Sequence, residues 1–466
     1  MKIEQFVYRS TIPAPAAEVF RWHANQGAFQ RYNPPWDPVT LVEEQGGIEP
    51  GARKVIRLKM GPFSKNWVAE HTDWEPGTMF RDVQVKGPFA HWQHTHRIVP
   101  VDENHCLLED AIEYALPMGS IGRLLGGRMT RNMLEKMFRY RHRTLQLDMS
   151  QQQKFRGTPN MNILISGATG LVGTELTSFL TTDGHTCSAL TRTRKEDSDI
   201  VWDPSKGELE TERLSEFDAI VHLAGEPIVG RWSEKKKARI KESRVAGTKL
   251  LCEALAALDQ PPKVLVSASA IGFYGNRGDE ELTEESTSGD LFLSEVCKEW
   301  EEACAPAVEK GIRVVNPRIG VVLSPKGGAL TAMLTPFKLC AGGIIGSGKQ
   351  WMSWLTLDEA AGILHHCLVT ESLHGPVNMV SPNPVTNKEF TKTLGRVLSR
   401  PTIFPMPSFA ARLMFGKMAD ELLLASTRVL PKKLQETGYD FRHTDLEAGL
   451  RHILGKTKEE EVQQVA

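Results

Sequence analysis

The stretch MNILISGATGLVGTELTSFL, Met161 to Leu180, decides how the larger part of this chain folds. Asn162–Ser166 is a short apolar run of strand character, and the residues from Leu171 onward read as a helix. Between them Gly167, Gly170 and Gly173 stand three apart. A strand that turns at once into a helix needs residues without a Cβ at the turn. The first helical turn then offers unpaired N–H groups and the positive end of the peptide dipoles. A bare glycine triplet means little, but at the head of a β-α series it reads as a phosphate-binding turn. The alternative is a glycine-rich β-α turn without a ligand.

Downstream, glycine-punctuated apolar strands alternate with helical stretches. Thr186–Leu190, Ala219–Ala224, Lys263–Ser269 and Arg313–Leu323 read as strands, and Glu234–Leu258, Phe292–Cys304 and Asp358–Leu368 as helices. That alternation predicts a parallel, doubly wound α/β sheet, a Rossmann fold. The second strand ends in TRTRK. An acidic residue there would bond a ribose 2′-hydroxyl; Arg192, Arg194 and Lys195 instead suit a 2′-phosphate. NADP(H) is therefore expected over NAD(H), with Arg192 as the main contact, against the alternative of exposed arginines on a turn. Thr169, Leu171 and Val172 complete the glycine turn, and Leu223, Ala224 and Gly225 are placed beside the dinucleotide. The run EKKKARIKESR, with six basic and two acidic residues, reads mostly as a solvated helix face, although Arg231 or Arg244 could meet an anionic group.

These segments carry a resemblance. GATGLVG (167–173), HLAGEPI (222–228), RWSEKKKARIKESRVAGT (231–248), SASAIGFYG (267–275) and PRIGVVLS (317–324) resemble atypical short-chain dehydrogenase/reductases of the NAD-dependent epimerase/dehydratase-like group, also called nucleoside-diphosphate-sugar epimerase-like. Pro401–Phe441 is similar to the small C-terminal domain of that group, so the resemblance runs from about Asn162 to Leu454. It implies NADP(H) binding and a substrate lobe built from the later segments. It also implies chemistry by a hydroxyl, a tyrosinate and a lysine that lowers the tyrosine pKa and holds the ribose. Ser267 or Ser269 stands where the serine belongs, and Lys298 fits the lysine. Four residues before Lys298, where one helical face would bring a tyrosine, the chain has Ser294. Tyr274 is the nearest phenol in sequence, with a packing role in a tight turn as its alternative. The candidate catalytic set is Ser269, Tyr274 and Lys298, with Lys298 also on the cofactor. Glu295 and Glu299 read as solvated, and Cys297 as a buried small residue. The glycines at 342, 343, 346 and 348, ahead of Trp351, Trp354 and Asp358, make either a substrate loop or a plain connection to a core helix.

The first half has a different texture, dense in tryptophan. Phe6–Ile12, Lys54–Met60, Trp67–Asp73, Met79–Val85, His91–Val99 and Cys106–Tyr114 alternate as strands. Residues 121–147 repeat apolar side chains at helical spacing, among them Leu124, Leu125, Met129, Met133, Leu134, Met137, Phe138 and Leu145. GPFAHWQHTHRI (87–98), LLEDAIEYALP (107–117) and the closing helix around MFRYRHR resemble the helix-grip superfamily of START and polyketide-cyclase-like domains. The resemblance implies a pocket for a hydrophobic small molecule. His91, His94 and His96 invite a metal reading, but His91 falls on the opposite strand face from the other two, so packing or pocket-lining histidines are expected and no metal is assigned. Asp110 and Glu113 read as a solvated or salt-bridged face.

The 466 residues carry 56 basic and 57 acidic side chains, a net charge of −1, which argues against a nucleic-acid-binding chain. Hydrophobic residues make up 41% and charged ones 24%, an ordinary globular composition. Seven widely spaced cysteines without a C-x-x-C fit free thiols in a reducing compartment. With no signal-like or spanning apolar run, a cytoplasmic protein is expected. The expected division is a helix-grip domain at 1–150, a linker at 151–160, the Rossmann domain at 161–400, a small C-terminal domain at 401–454 and a polar tail at 455–466. The function expected is that of an NADP(H)-binding epimerase or oxidoreductase acting on an unknown substrate, of which a sugar nucleotide is one class. The alternatives are a sensor without turnover and a binder of hydrophobic ligands through the first domain. A small-molecule substrate is the expected partner, and a homodimer stays open.

Overall fold

Period-two alternation dominates the first 115 residues, and every strand it produces pairs antiparallel. The structure, a computed structural model, describes residues 2–37, 39–60 and 63–457. They fall into two compact units. One holds the residues up to Gly157 together with 181–184 and 452 onward; the other holds 158–180 and 185–451. The expected tail at 455–466 lies outside the described residues beyond 457.

In the first unit, β1 (Glu4–Ile12), β2 (Thr40–Gln45), β3 (Arg53–Met60), β4 (Phe63–Glu75), β5 (Met79–Lys86), β6 (His91–Pro100) and β7 (Cys106–Ala115) form one sheet in the order β1-β7-β6-β5-β4-β3-β2. Strand β2 was not anticipated; its residues are nearly all exposed, so no apolar alternation marks it. Along β7 the buried side chains are every second one, Cys106, Leu108, Asp110, Ile112 and Tyr114. Two short helices, α1 (Ala16–Ala24) and α2 (Ala28–Tyr32), follow β1, and the long α3 (Gly119–Gln153) closes the unit.

Two expectations about α3 change. The helix runs through Gln153, past the point where the linker was expected to begin, because Ser150–Gln153 contains no glycine or proline to stop it. Its apolar residues also divide. Leu134, Phe138, Leu145 and Met149 are buried, whereas Leu124, Leu125 and Met129 are exposed, since burial along this helix starts only at Leu134.

The helical side is pinned by a buried ion pair. Arg31 of α2 donates from Nε to Asp148 Oδ2 at 2.9 Å and from Nη2 to Oδ1 at 2.6 Å, a two-pronged fit that matches guanidinium to carboxylate. Both side chains are completely buried.

In the second unit, β8 (Asn162–Ser166), β9 (Thr186–Thr191), β10 (Ile200–Asp203), β11 (Glu208–Leu209), β12 (Ala219–His222), β13 (Val264–Ser267), β14 (Ser269–Ala270), β15 (Arg313–Ile319) and β16 (Gly375–Met379) build the main sheet. Its order is β11-β10-β9-β8-β12-β13-β15, with β14 and β16 also pairing β15. All pairs are parallel except β10 with β11. The helices that bear on the site are α4 (Leu171–Asp183), α5 (Glu234–Ala257), α6 (Phe292–Glu302) and α7 (Leu357–Val369). Helix α7 is buried along almost its whole length, which makes it a core helix as expected.

The strand expected over Arg313–Leu323 breaks at Gly320. A Cβ there would lie 2.7 Å from Val380 Cγ1 and 2.8 Å from the Ser353 carbonyl oxygen. Past it, Val321–Leu323 leaves the main sheet and pairs with Trp354–Thr356. The later part of the chain adds short elements, among them Ser408–Phe415 and Arg428–Val429, the latter parallel to Glu281–Leu282.

Removing one partner of a buried ion pair strands the other charge, at a cost of about 3–5 kcal/mol. Asp148→Ala should lower the unfolding free energy by about that amount in urea titration. A loss under about 1 kcal/mol, typical of exposed pairs, would contradict the burial described.

Candidate functional site

The strand order of the parallel sheet reverses between β8 and β12: β9 lies on one side of β8, β12 on the other. In open parallel sheets such a reversal parts the connecting loops and leaves a crevice at the carboxyl ends of the strands. The glycine turn sits there. Gly167 has φ +71°, a left-handed conformation that favours glycine, and a Cβ on it would come 3.1 Å from Ala224 N and the Leu223 carbonyl carbon. A Cβ on Gly173 would lie 2.2 Å from the Gly167 oxygen, so α4 can seat against the turn only without one. Thr169 and Gly170 are exposed. Thr174 N–H bonds the Gly170 oxygen, so the N–H groups of Leu171, Val172 and Gly173 come before the first full helical turn. The residues present fit an anionic phosphate group.

One hydroxyl ties the two sides of the crevice. Ser166 Oγ accepts N–H bonds from Leu223 at 3.0 Å and Ala224 at 3.1 Å, and lies 2.6 Å from His222 Nδ1. With its lone pairs engaged, it donates its proton to Nδ1, so the ring proton of neutral His222 is on Nε2. Burial lowers the His222 pKa to about 4.

The remaining nucleotide candidates sort by exposure and partner. Arg192 is exposed just beyond β9, while Arg194 is tied to Glu210 at 2.6 Å. Gly225 is exposed, and a Cβ on it would meet the Arg244 guanidinium carbon at 3.2 Å. Arg244 is held by the carbonyls of Glu226 and Ile240. Arg231 is exposed and reaches the Leu413 carbonyl at 3.5 Å.

Ser269 and Tyr274 meet in one network, and Lys298 is exposed outside it. Ser269 is buried and donates to Glu301 Oε1 at 2.6 Å. Arg318 grips the same carboxylate with two bonds of 2.8 Å. Arg318 also donates to the Tyr274 hydroxyl at 2.9 Å and lies 3.5 Å above the centre of the Phe273 ring. The Tyr274 hydroxyl is 2.6 Å from Asn378 Oδ1 and 3.0 Å from the Thr283 carbonyl, acceptors that compete for its one proton. The residue is fully buried, and burial pushes the phenol up to about 12 despite the pull of Arg318. A general acid works best with a pKa near the operating pH, whereas Tyr274 sits at the centre of a buried polar network. Ser294, in the place of the expected tyrosine, donates to the Gly272 carbonyl at 2.9 Å. Lys298 is exposed and joins none of these groups; Glu295 and Glu299 share Lys241 instead. Cys297 is buried, its thiol pushed up to about 12 by that burial.

A second polar cluster lies in the first unit. Asp110 accepts from His94 Nε2 at 2.8 Å and His142 Nε2 at 2.6 Å, and His96 Nδ1 approaches it to 2.6 Å. His94 Nδ1 is 3.5 Å from Asp82 Oδ1. Burial opposes a charge on His94, but hydrogen bonds and charge from Asp110 and Asp82 outweigh it and raise the pKa to about 9. Burial, with the neighbouring His94, lowers His96 to about 3. Of the two readings of this strand face, solvated or salt-bridged, Asp110 answers to the second. His91 stays outside the cluster, on the other face of β6. Asp82 and His142 were not anticipated: one comes from the next strand and the other from α3, with no local spacing to announce either.

Sequence comparison resolves the chain into three stretches. Residues 12–138 match a family described as polyketide cyclase/dehydrase and lipid transport, 163–379 the NAD-dependent epimerase/dehydratase family, and 406–453 a domain of unknown function. An epimerase family protein of Mycobacterium bovis is 40% identical over 289 residues, covering 62% of this chain and 95% of that protein. The chain belongs to the NAD-dependent epimerase/dehydratase family. The human epimerase family protein SDR39U1 is 38% identical over 298 residues, 63% of this chain and all of that protein. Its isoform 2, solved with NADPH, superposes with a TM-score of 0.59 at 36% identity, covering 64% of this chain and all of that one. A structure described as the nucleoside-diphosphate sugar epimerase from Corynebacterium glutamicum covers 98% of this chain and 92% of its own, with a TM-score of 0.82 and 34% identity. Both units of this epimerase-family chain therefore recur together in a known structure. Among the described residues no helix is long and apolar enough to cross a membrane.

The buried imidazole of His222 gives this site a pH signature. Its folded pKa of about 4 lies below the ordinary 6.5, so the unfolded chain takes up the proton first. The stability it contributes is complete above pH about 6.5 and is lost as pH falls toward 4, by on the order of 3 kcal/mol. Unfolding free energies measured across that window should fall, and the fall should be shallower in His222→Asn, which does not titrate. Parallel curves for the two proteins would refute this.

Proposed function

We propose that the larger unit binds NADP(H) in the crevice between β8 and β12 and serves hydride transfer to an acceptor that needs no proton from a protein phenol. The observation that carries the first half is the glycine turn at the reversal of strand order, with exposed Arg192 at the end of β9. The human relative solved with NADPH supports the same reading. Gly167, Thr169, Gly170, Leu171, Val172 and Gly173 would cradle the pyrophosphate, Leu223, Ala224 and Gly225 would flank the dinucleotide, and Arg192 would take the 2′-phosphate.

NADPH, when bound, supplies a hydride. Oxidation or epimerisation at a sugar hydroxyl also requires a base beside that hydroxyl. Ser269 and Tyr274 are engaged in the Glu301–Arg318 network, and Lys298 is exposed. The acceptors that suit such a site are conjugated ones, a quinone or a flavin, whose reduced form takes its proton from water. The network's task is then to tie the ends of β14 and β15 to α6. The buried state of Ser269 and Tyr274 also favours a second reading, a protein that binds NADPH to report on it and turns nothing over.

Calorimetric titration with NADPH and NADH tests the cofactor. Losing a hydrogen bond to a charged group costs about 1.5–3 kcal/mol, roughly a ten- to hundredfold weakening. Arg192→Ala should weaken NADPH by that factor and leave NADH unchanged; equal weakening of both, or none, would overturn the assignment. Turnover is tested by NADPH oxidation at 340 nm with quinones, flavins and sugar nucleotides as acceptors. Activity on the conjugated class, retained within about twofold in Lys298→Ala, is expected. Sugar-nucleotide turnover abolished by that substitution would restore a lysine-dependent mechanism, and tight NADPH binding with no turnover at all would favour the sensor.

A further inference from the structure

The first unit holds a group of side chains that its own hydrogen bonding leaves unfinished. Neighbouring strands place them together by register: Asp82 of β5 stands opposite His94 of β6, and His96 stands between Phe80 of β5 and Asp110 of β7. One ligand-type atom from each of Asp82, His94 and His96 lies within 4.8 Å of the others. Asp110 accepts from His94 Nε2. That bond fixes the proton on Nε2 when the ring is neutral and turns the Nδ1 lone pair toward Asp82 Oδ1, 3.5 Å away. Two acceptors facing each other at that distance need a cation between them. A single proton would satisfy that pair alone. It would leave His96 Nδ1, which is buried and, despite its 2.6 Å approach to Asp110, out of line for a hydrogen bond.

We propose that Asp82, His94 and His96 bind a divalent transition-metal ion of the zinc or iron(II) class on the buried face of this sheet, with Asp110 orienting His94 from behind. Two imidazoles and one carboxylate are the donor set such ions take, and three protein ligands leave a position open for water or a small ligand. The distances suit it. Ligands about 2.0–2.1 Å from a tetrahedral ion stand about 3.4 Å apart, close to the separation of His94 Nδ1 and Asp82 Oδ1. The outer layer suits it as well. A metal-bound histidine ordinarily gives its other N–H to a carboxylate, which is what Asp110 receives, and Asp110 is itself fixed by His142, whose Nδ1 is 2.7 Å from Ser10 Oγ. Two aspartates balance the charge of a divalent ion with the imidazoles neutral. The Asp82 side chain keeps 16% of its surface exposed, which gives an ion a way in.

The site is tested on the full chain after dialysis against a chelator. Cobalt(II) is the probe, followed by its visible absorption, with zinc(II) measured by calorimetry. One equivalent per chain is expected at this site, with affinity lowered at least tenfold in Asp82→Asn and in His96→Gln. Circular dichroism on both variants reports whether the fold persists, and Asp82→Asn, isosteric and partly exposed, is the variant expected to keep it. An anomalous difference peak between the three side chains in zinc-soaked crystals gives an answer that needs no variant. Absence of stoichiometric binding by the folded wild type, or unchanged binding in folded Asp82→Asn, would overturn the proposal and leave His94 as an imidazolium bridging two carboxylates.

Discussion

The nucleotide end of this molecule rests on the hydroxyl of Ser166. It closes the gap between two parallel strands whose connections leave in opposite directions, by accepting the N–H groups of Leu223 and Ala224 just where β12 ends. Leu223 N–H also reaches the Ser166 carbonyl at 3.2 Å, so it is the Ala224 N–H that depends on this hydroxyl. The left-handed turn at Gly167 and the exposed Thr169 and Gly170 follow along the chain directly from this strand end. The same hydroxyl sets the tautomer of His222 beneath it.

A comparable centre organises the first unit. Asp110 sits at the middle of β7, flanked by β1 and β6, and gathers imidazoles from the sheet and from α3. Its geometry is an economical use of one buried carboxylate: a charge that would be costly alone is surrounded by donors. The two centres differ in kind. Ser166 joins backbone to backbone, and its residues are determined by the path of the chain. Asp110 joins side chains to one another, and its residues answer to chemistry.

That difference explains how much was legible in the sequence. The glycine turn and the strand–helix alternation are local patterns, visible because the backbone itself demands them within a dozen residues. The long α3 was visible too, but not which part of it would be covered. Leu124 and Leu134 look alike in a helical pattern, and only the sheet beneath tells them apart. The catalytic candidates show the limit most clearly. Ser269 and Tyr274 lie close in sequence and end in one network. Their hydroxyls are nevertheless taken up by Glu301, Arg318 and Asn378, which come from three other elements and leave no mark near SASAIGFYG. Asp82 and His142 were out of sight for the same reason, being brought to Asp110 by strand register and helix packing.

The antiparallel sheet also imposes an order in time. Its first strand finds its partner in its last: Glu4 pairs with Tyr114 and Ile12 with Cys106. A chain made from its N-terminus at about 5–20 residues per second must wait several seconds before β7 leaves the ribosome. Through that interval β1 has no edge to join, while β3 to β6 can already pair with their neighbours as hairpins. Within this sheet β1 is thus made before every other strand yet pairs only once β7 has followed it. Closing this sheet therefore means holding one edge strand unpaired until the strand that covers it has been made.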